Sequence, residues 1–89
     1  MSRTDARRAD LLSTVEAAQT AAGILAARNR GDTQGAAVLL AGMSHEQLAS
    51  GSLLLAELSM SLYARSSGQE VQDCIRGLSA DLENAVRHA

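Results

Sequence analysis

The chain contains no lysine, proline, phenylalanine or tryptophan, and it has a single cysteine and a single tyrosine. All eight basic residues are therefore Arg. Without Lys, a Walker-type phosphate loop, a Schiff base and a Ser–Lys dyad are excluded outright. Without Phe or Trp, any core has to be assembled from Leu, Ala, Val, Ile and Met. Such side chains bring little area each, at about 25 cal/mol per Å² of apolar surface buried. Eighty-nine residues suit one domain, residues 1–89 with 1–4 frayed. A chain of that size buries only about 60–65% of its unfolded surface. A second subunit would offset part of that shortfall.

Cys74 stands alone, so no intrachain disulfide can form, and the chain reads as cytoplasmic. Residues 1–8 lack the apolar core of a signal peptide. The longest apolar run, residues 53–64, is broken by Glu57 and several Ser and is too short to span a bilayer. Arg without Lys, together with abundant Ala, reads as a GC-rich, actinobacterium-like coding bias.

The net charge of −2 is unevenly spread. Residues 1–30 hold five Arg against three acids, a net of +2, and residues 31–89 hold three Arg against seven acids, a net of −4. Neither half has the strongly basic footprint of a dedicated nucleic-acid binder.

Apolar spacing at about 100° per residue predicts four helices, over residues 5–29, 33–43, 45–65 and 68–88, and no strand. In the first, Leu11, Val15, Ala18, Ala22 and Leu25 form the expected buried stripe. Gly31 is placed as a left-handed C-cap, and Asp32 or Thr33 as the cap of the next helix. The second helix is expected to bury Ala36, Leu39, Leu40 and Met43. Ser44 with Gln47, and Ser67 with Glu70, each have the spacing of a capping box. The last helix is the cleanest amphipath, with Val71, Cys74, Ile75, Leu78, Leu82, Ala85 and Val86 within about 120°.

The third helix is apolar on most of its circumference. Leu48, Gly51, Leu55, Leu58 and Leu62 form one seam; Ala49, Leu53, Ala56 and Met60 form a second. Only Glu57, Ser50 and Ser61 are clearly polar between them. A helix of this kind must be surrounded, either by its own chain or by another molecule. The expected architecture is an all-α four-helix bundle, three helices long and one short, built from antiparallel hairpins with connections of about two to four residues.

No catalytic signature accompanies this pattern. His45-Glu46-Gln47-Leu48-Ala49 begins like an HExxH zinc motif, but Ala49 stands where the second His must be. Cys74 lies on an apolar face, where a free Cys acts as a small hydrophobe. Gly31-Asp32-Thr33-Gln34-Gly35 joins two helices and so fails the strand-to-helix context of a dinucleotide loop. The carboxylates are scattered on solvated faces, with no pair marked out for acid–base work. Residues 44–58 have the outline of a helix-turn-helix, yet Leu53-Leu54-Leu55 would occupy the base-reading helix. No cofactor, metal or small-molecule substrate is expected, and the chain is expected not to be an enzyme.

Two features point to partners. Arg3, Arg7 and Arg8 form the one basic cluster, able to give weak, salt-sensitive contact with nucleic acid or with an acidic protein. Ala49, Leu53, Ala56 and Met60, bordered by Tyr63, form the candidate interface. The same seam would be internal core if the other three helices enclosed it.

Gly23-Ile24-Leu25-Ala26-Ala27-Arg28-Asn29-Arg30-Gly31-Asp32, followed by Ala36 and Leu40, resembles the Gly…Gly-Asp…Ala core of one tetratricopeptide hairpin over about 20 residues. The two Gly stand one residue further apart than in that repeat, Ala and Leu fill its aromatic positions, and its closing Pro is missing. The helix–Gly-Asp–helix–Leu-Ala-Gly-Met-Ser layout is also similar to small uncharacterised helical proteins of actinobacteria and their phages. These resemblances imply a helical hairpin used for protein contact. The expected function is thus a non-enzymatic interaction module, a homodimer or the partner of one larger protein. The alternatives are a small regulator touching nucleic acid through its Arg-rich N-terminus, and a phage or plasmid factor that modulates a host protein.

Overall fold

Four helices make up the chain: α1 (Arg3–Asn29), α2 (Thr33–Ala41), α3 (His45–Ser67) and α4 (Val71–Arg87). The computed structural model describes residues 2–88, so Met1 and Ala89, the outermost positions of the expected domain, lie outside the described residues. No strand occurs among the described residues, and the protein is all-α. Each connection is three residues long.

Local chemistry fixes the helix ends. Ser2 caps α1, its Oγ accepting from the Asp5 N–H at 3.2 Å, so the helix starts two residues earlier than the apolar pattern alone indicates. Arg3 and Thr4, expected to fray, are helical. Gly31 at φ 80° closes α1, with the Asp32 N–H donating to the Ala27 carbonyl at 2.8 Å and the Gly31 N–H to Arg28 at 3.1 Å. This is the six-to-one and five-to-two pairing that a left-handed glycine permits. Asp32 then caps α2 through the Gly35 N–H at 2.8 Å. The expected box at the start of α3 is present in both directions: the Gln47 N–H donates to Ser44 Oγ at 3.0 Å, and the Ser44 N–H to Gln47 Oε1 at 2.9 Å.

The second expected capping box does not form. Helix α3 continues through Ser66 and Ser67 and ends at Gly68, φ 71°. Ser67 is thereby held in the last turn of α3, where its hydroxyl donates to the Tyr63 carbonyl at 2.8 Å. Such back-bonding to a carbonyl four residues earlier competes with capping. Glu70 becomes the N-cap of α4 without a side-chain hydrogen bond, and α4 starts three residues later than the expected 68.

The helices gather into two compact units, Met1–Ala56 and Glu57–Ala89. The first contains α1, α2 and the leading half of α3. Here α2 lies along α1, with Leu39 near Gly23. Helix α3 crosses α1 where Gly51 meets Ala17 so closely that a Cβ on Gly51 would sit 2.6 Å from the Ala17 backbone carbon. The second unit is the hairpin of the trailing half of α3 with α4.

The buried set differs from the expected one. Among the described residues it consists of Ala17, Ala18, Ala21, Ala27, Gly51, Ala36, Ala64 and Cys74, with no large side chain fully buried. Of the expected α1 stripe only Ala18 is buried; Leu11, Val15, Ala22 and Leu25 are exposed. In α2 only Ala36 is buried, with Met43 beyond its end half-buried and Leu39 and Leu40 exposed. The reason is steric: helix surfaces that touch through Gly and Ala come too close together to leave room for Leu between them.

Two glycine substitutions should therefore move stability in opposite directions. Gly51→Ala should destabilise the protein by about 1–3 kcal/mol, because the clash is with backbone and exceeds any gain in helix propensity. Gly77→Ala, in α4, meets nothing within 4 Å and should stabilise it by about 0.5–1 kcal/mol. Urea unfolding followed by circular dichroism gives both signs.

Candidate functional site

The expected interface residues all fall on α3, and each can be placed within its unit. In the first unit Ala49, Leu53 and Ala56 are exposed, with Leu53 presenting 62% of its surface. The opposing seam is the one that turns inward there: Gly51 is buried and Leu48 and Leu55 are half-buried. The first unit thus covers one seam of α3 and leaves the other open, because Gly51 selects the side that can approach Ala17.

In the second unit Met60 is half-buried and Tyr63 is 56% exposed. They form one side of a groove of about 360 Å³, whose other side is α4. Cys74 and Leu78 contribute apolar lining, and Asp73 and Asp81 acidic lining. The Cys74 thiol, 6% exposed, donates to Gln69 Oε1 at 3.3 Å, so this cysteine is a packed part of the groove's lining. Asp73 also pairs with Arg76 at 3.4 Å, an exposed i,i+3 contact. Sequence reasoning found Met60 and Tyr63 but missed the groove. Its missing signal was the series Asp73, Gly77 and Asp81, four residues apart along one edge of α4, preceded at the same spacing by Gln69 in the connection.

The apolar face of α4 is exposed where it was expected to be covered. Only Cys74, at one margin of the face, is buried. Val71, Ile75, Leu78, Leu82 and Val86 are all exposed, rising to 78% at Val86. Within the second unit, α4 therefore rests on α3 by the edge of its apolar arc.

The basic cluster is also open. Arg3, Arg7 and Arg8 are exposed on the first turns of α1, and none takes part in the ion pairs found among the described residues, Arg30–Asp32, Arg76–Asp73 and Arg87–Glu83. The last of these joins residues four apart on α4, at 3.9 Å. His45 is exposed in the first turn of α3, and His88 is the C-cap of α4. Among the described residues no group of three or more His, Cys, Asp or Glu could hold a metal ion, and no helix is long and apolar enough to cross a membrane.

Comparison with protein-family models, with curated proteins and with solved structures finds no match.

The packing of Cys74 sets its reactivity. The folded protein should react with a thiol reagent at least about tenfold more slowly than the urea-unfolded chain, since modification requires opening of the α3–α4 hairpin. Rates followed with a chromogenic disulfide check this directly.

Proposed function

We propose that the protein is a non-enzymatic interaction module that self-associates, using apolar helix faces which its own fold leaves open. The observation that carries this reading is the inversion of side-chain size between inside and outside. Alanine, glycine and one cysteine are buried, while sixteen large apolar residues are exposed among the described ones, Leu53, Leu58 and Leu62 of α3 included. A single exposed Leu is ordinary on a soluble protein. Contiguous apolar patches beyond a few hundred Å² are rare on monomers and mark interaction surfaces.

Association would recover what folding leaves unused. Each Leu, Val or Ile taken fully out of water contributes about 1.5–3 kcal/mol before the costs of association. The α3 seam of Ala49, Leu53 and Ala56 suits this role because its small residues allow close approach and Leu53 supplies area. Met60 and Tyr63 provide the corresponding surface in the second unit. A second copy is favoured as the partner, because an 89-residue chain built from small aliphatics has the most to gain from doubling its core.

Light scattering across a dilution series tests this. The wild-type protein is expected to be a dimer that dissociates on dilution. Leu53→Glu with Met60→Glu should give a smaller species of unchanged helical circular dichroism. A strictly monomeric wild type overturns self-association, and loss of helix in the double variant would place the seam in the core instead.

A further inference from the structure

We propose that the groove of the second unit receives the basic N-terminal end of α1 from a second copy of the chain. The pairing presupposes the self-association proposed above and adds to it a second pair of surfaces.

Charge points to this occupant. The groove is lined by apolar residues, Met60, Cys74 and Leu78, and by two carboxylates, Asp73 and Asp81. The second unit as a whole carries three Arg against five acids. Arg65, the remaining base on this part of α3, lies about 160° around the helix from Tyr63 and so away from the groove. Asp73 keeps only the exposed contact with Arg76, a kind of pair that contributes little and exchanges readily.

The N-terminal end of α1 has the complementary pattern. Arg8, Leu11, Leu12 and Val15 share an arc of about 100°, and Arg7 flanks it next to Leu11. All five are exposed. The arc lies opposite Ala17, the residue that packs on Gly51, so it points away from the part of α3 that α1 rests on. It stays available to another molecule. The lengths agree as well: Arg8 to Val15 spans about 10 Å of helix and Asp73 to Asp81 about 12 Å. Two copies making this contact reciprocally form a closed pair with two equivalent interfaces.

Gly77 explains how a helix could come close. It stands on the groove's α4 edge between Asp73 and Asp81, and a Cβ there would meet nothing within 4 Å. The gap lets a neighbouring helix settle between the two carboxylates.

A charge-exchange experiment tests the pairing. Arg7→Glu/Arg8→Glu and Asp73→Arg/Asp81→Arg, each alone, should associate at least about tenfold more weakly than wild type, since like charges then face each other at both contacts. Mixed one to one, the two variants should recover association to within about threefold of wild type, both contacts being complementary again. Gly77→Leu should weaken association by filling the groove while leaving the circular dichroism unchanged. If the mixture stays as weak as its components, or the single variants associate like wild type, the pairing is overturned. Self-association itself then survives if the wild type is dimeric, and both ideas fall if it is a monomer. If Arg7→Glu/Arg8→Glu keeps wild-type association but loses low-salt binding to duplex DNA, the basic end serves nucleic acid and the pairing is overturned.

Discussion

The contact between Gly51 and Ala17 governs the first unit. Two helices that meet through a hydrogen atom and a methyl group come so close that backbone touches backbone, and the rest of the interface must fit that spacing. Side chains near the crossing have to be small, which is why Ala17, Ala18 and Ala21 are buried there. Leucines on the same helices are displaced to the flanks and outward. Close packing is achieved with little area, and the larger side chains remain as unused driving force.

Local and tertiary specification are consequently unequal. Ser2, Asp32 and Ser44 each cap a helix with a side-chain oxygen, and Gly31 and Gly68 end two helices in the left-handed region. Each cap is worth about 1 kcal/mol and depends on only a few neighbouring residues. Some of these features could be read in the sequence because they are short-range: Gly31 and the Ser44–Gln47 box were placed correctly, and Asp32 was one of the two caps offered for α2. The capping box at Ser67 failed for a physical reason, since a hydroxyl can serve either the helix it ends or the helix it begins. Here the Tyr63 carbonyl takes it.

The core was harder to read because hydrophobic periodicity weights residues by size. Leu11, Val15 and Leu25 mark a stripe on α1 that looks like the inward face. Burial instead follows the neighbouring stripe of Ala, which periodicity scores low. The same bias affects α4, where the apolar arc was identified correctly but its burial was not. On α1, what decides burial is which surface can approach a neighbour most closely, and that depends on Gly51 in α3, thirty-four residues after Ala17. No pattern confined to one helix contains that information. The groove was missed likewise, because its lining is divided between α3, α4 and the connection that joins them.

The position of α4 is unusual for an amphipathic helix. Cys74 is buried at the margin of the apolar arc while Val71 and Leu82, nearer its middle, stay exposed. A hairpin settled entirely by its own contacts would turn the middle of that arc toward α3, because each aliphatic side chain brought in contributes more than a thiol does. Tilting the arc outward leaves the Met60–Leu78 groove open beside Gly77 and puts Asp73 and Asp81 in its lining. An arrangement that gives up internal burial yet presents a shaped surface with apolar lining and charges of one sign is suited to a partner of the opposite sign. The chain supplies such a surface at the start of α1, where the arginines have no ion pair among the described residues. In the first unit, small residues inside and large ones outside are thus two results of one constraint, the close approach of helices at Gly51.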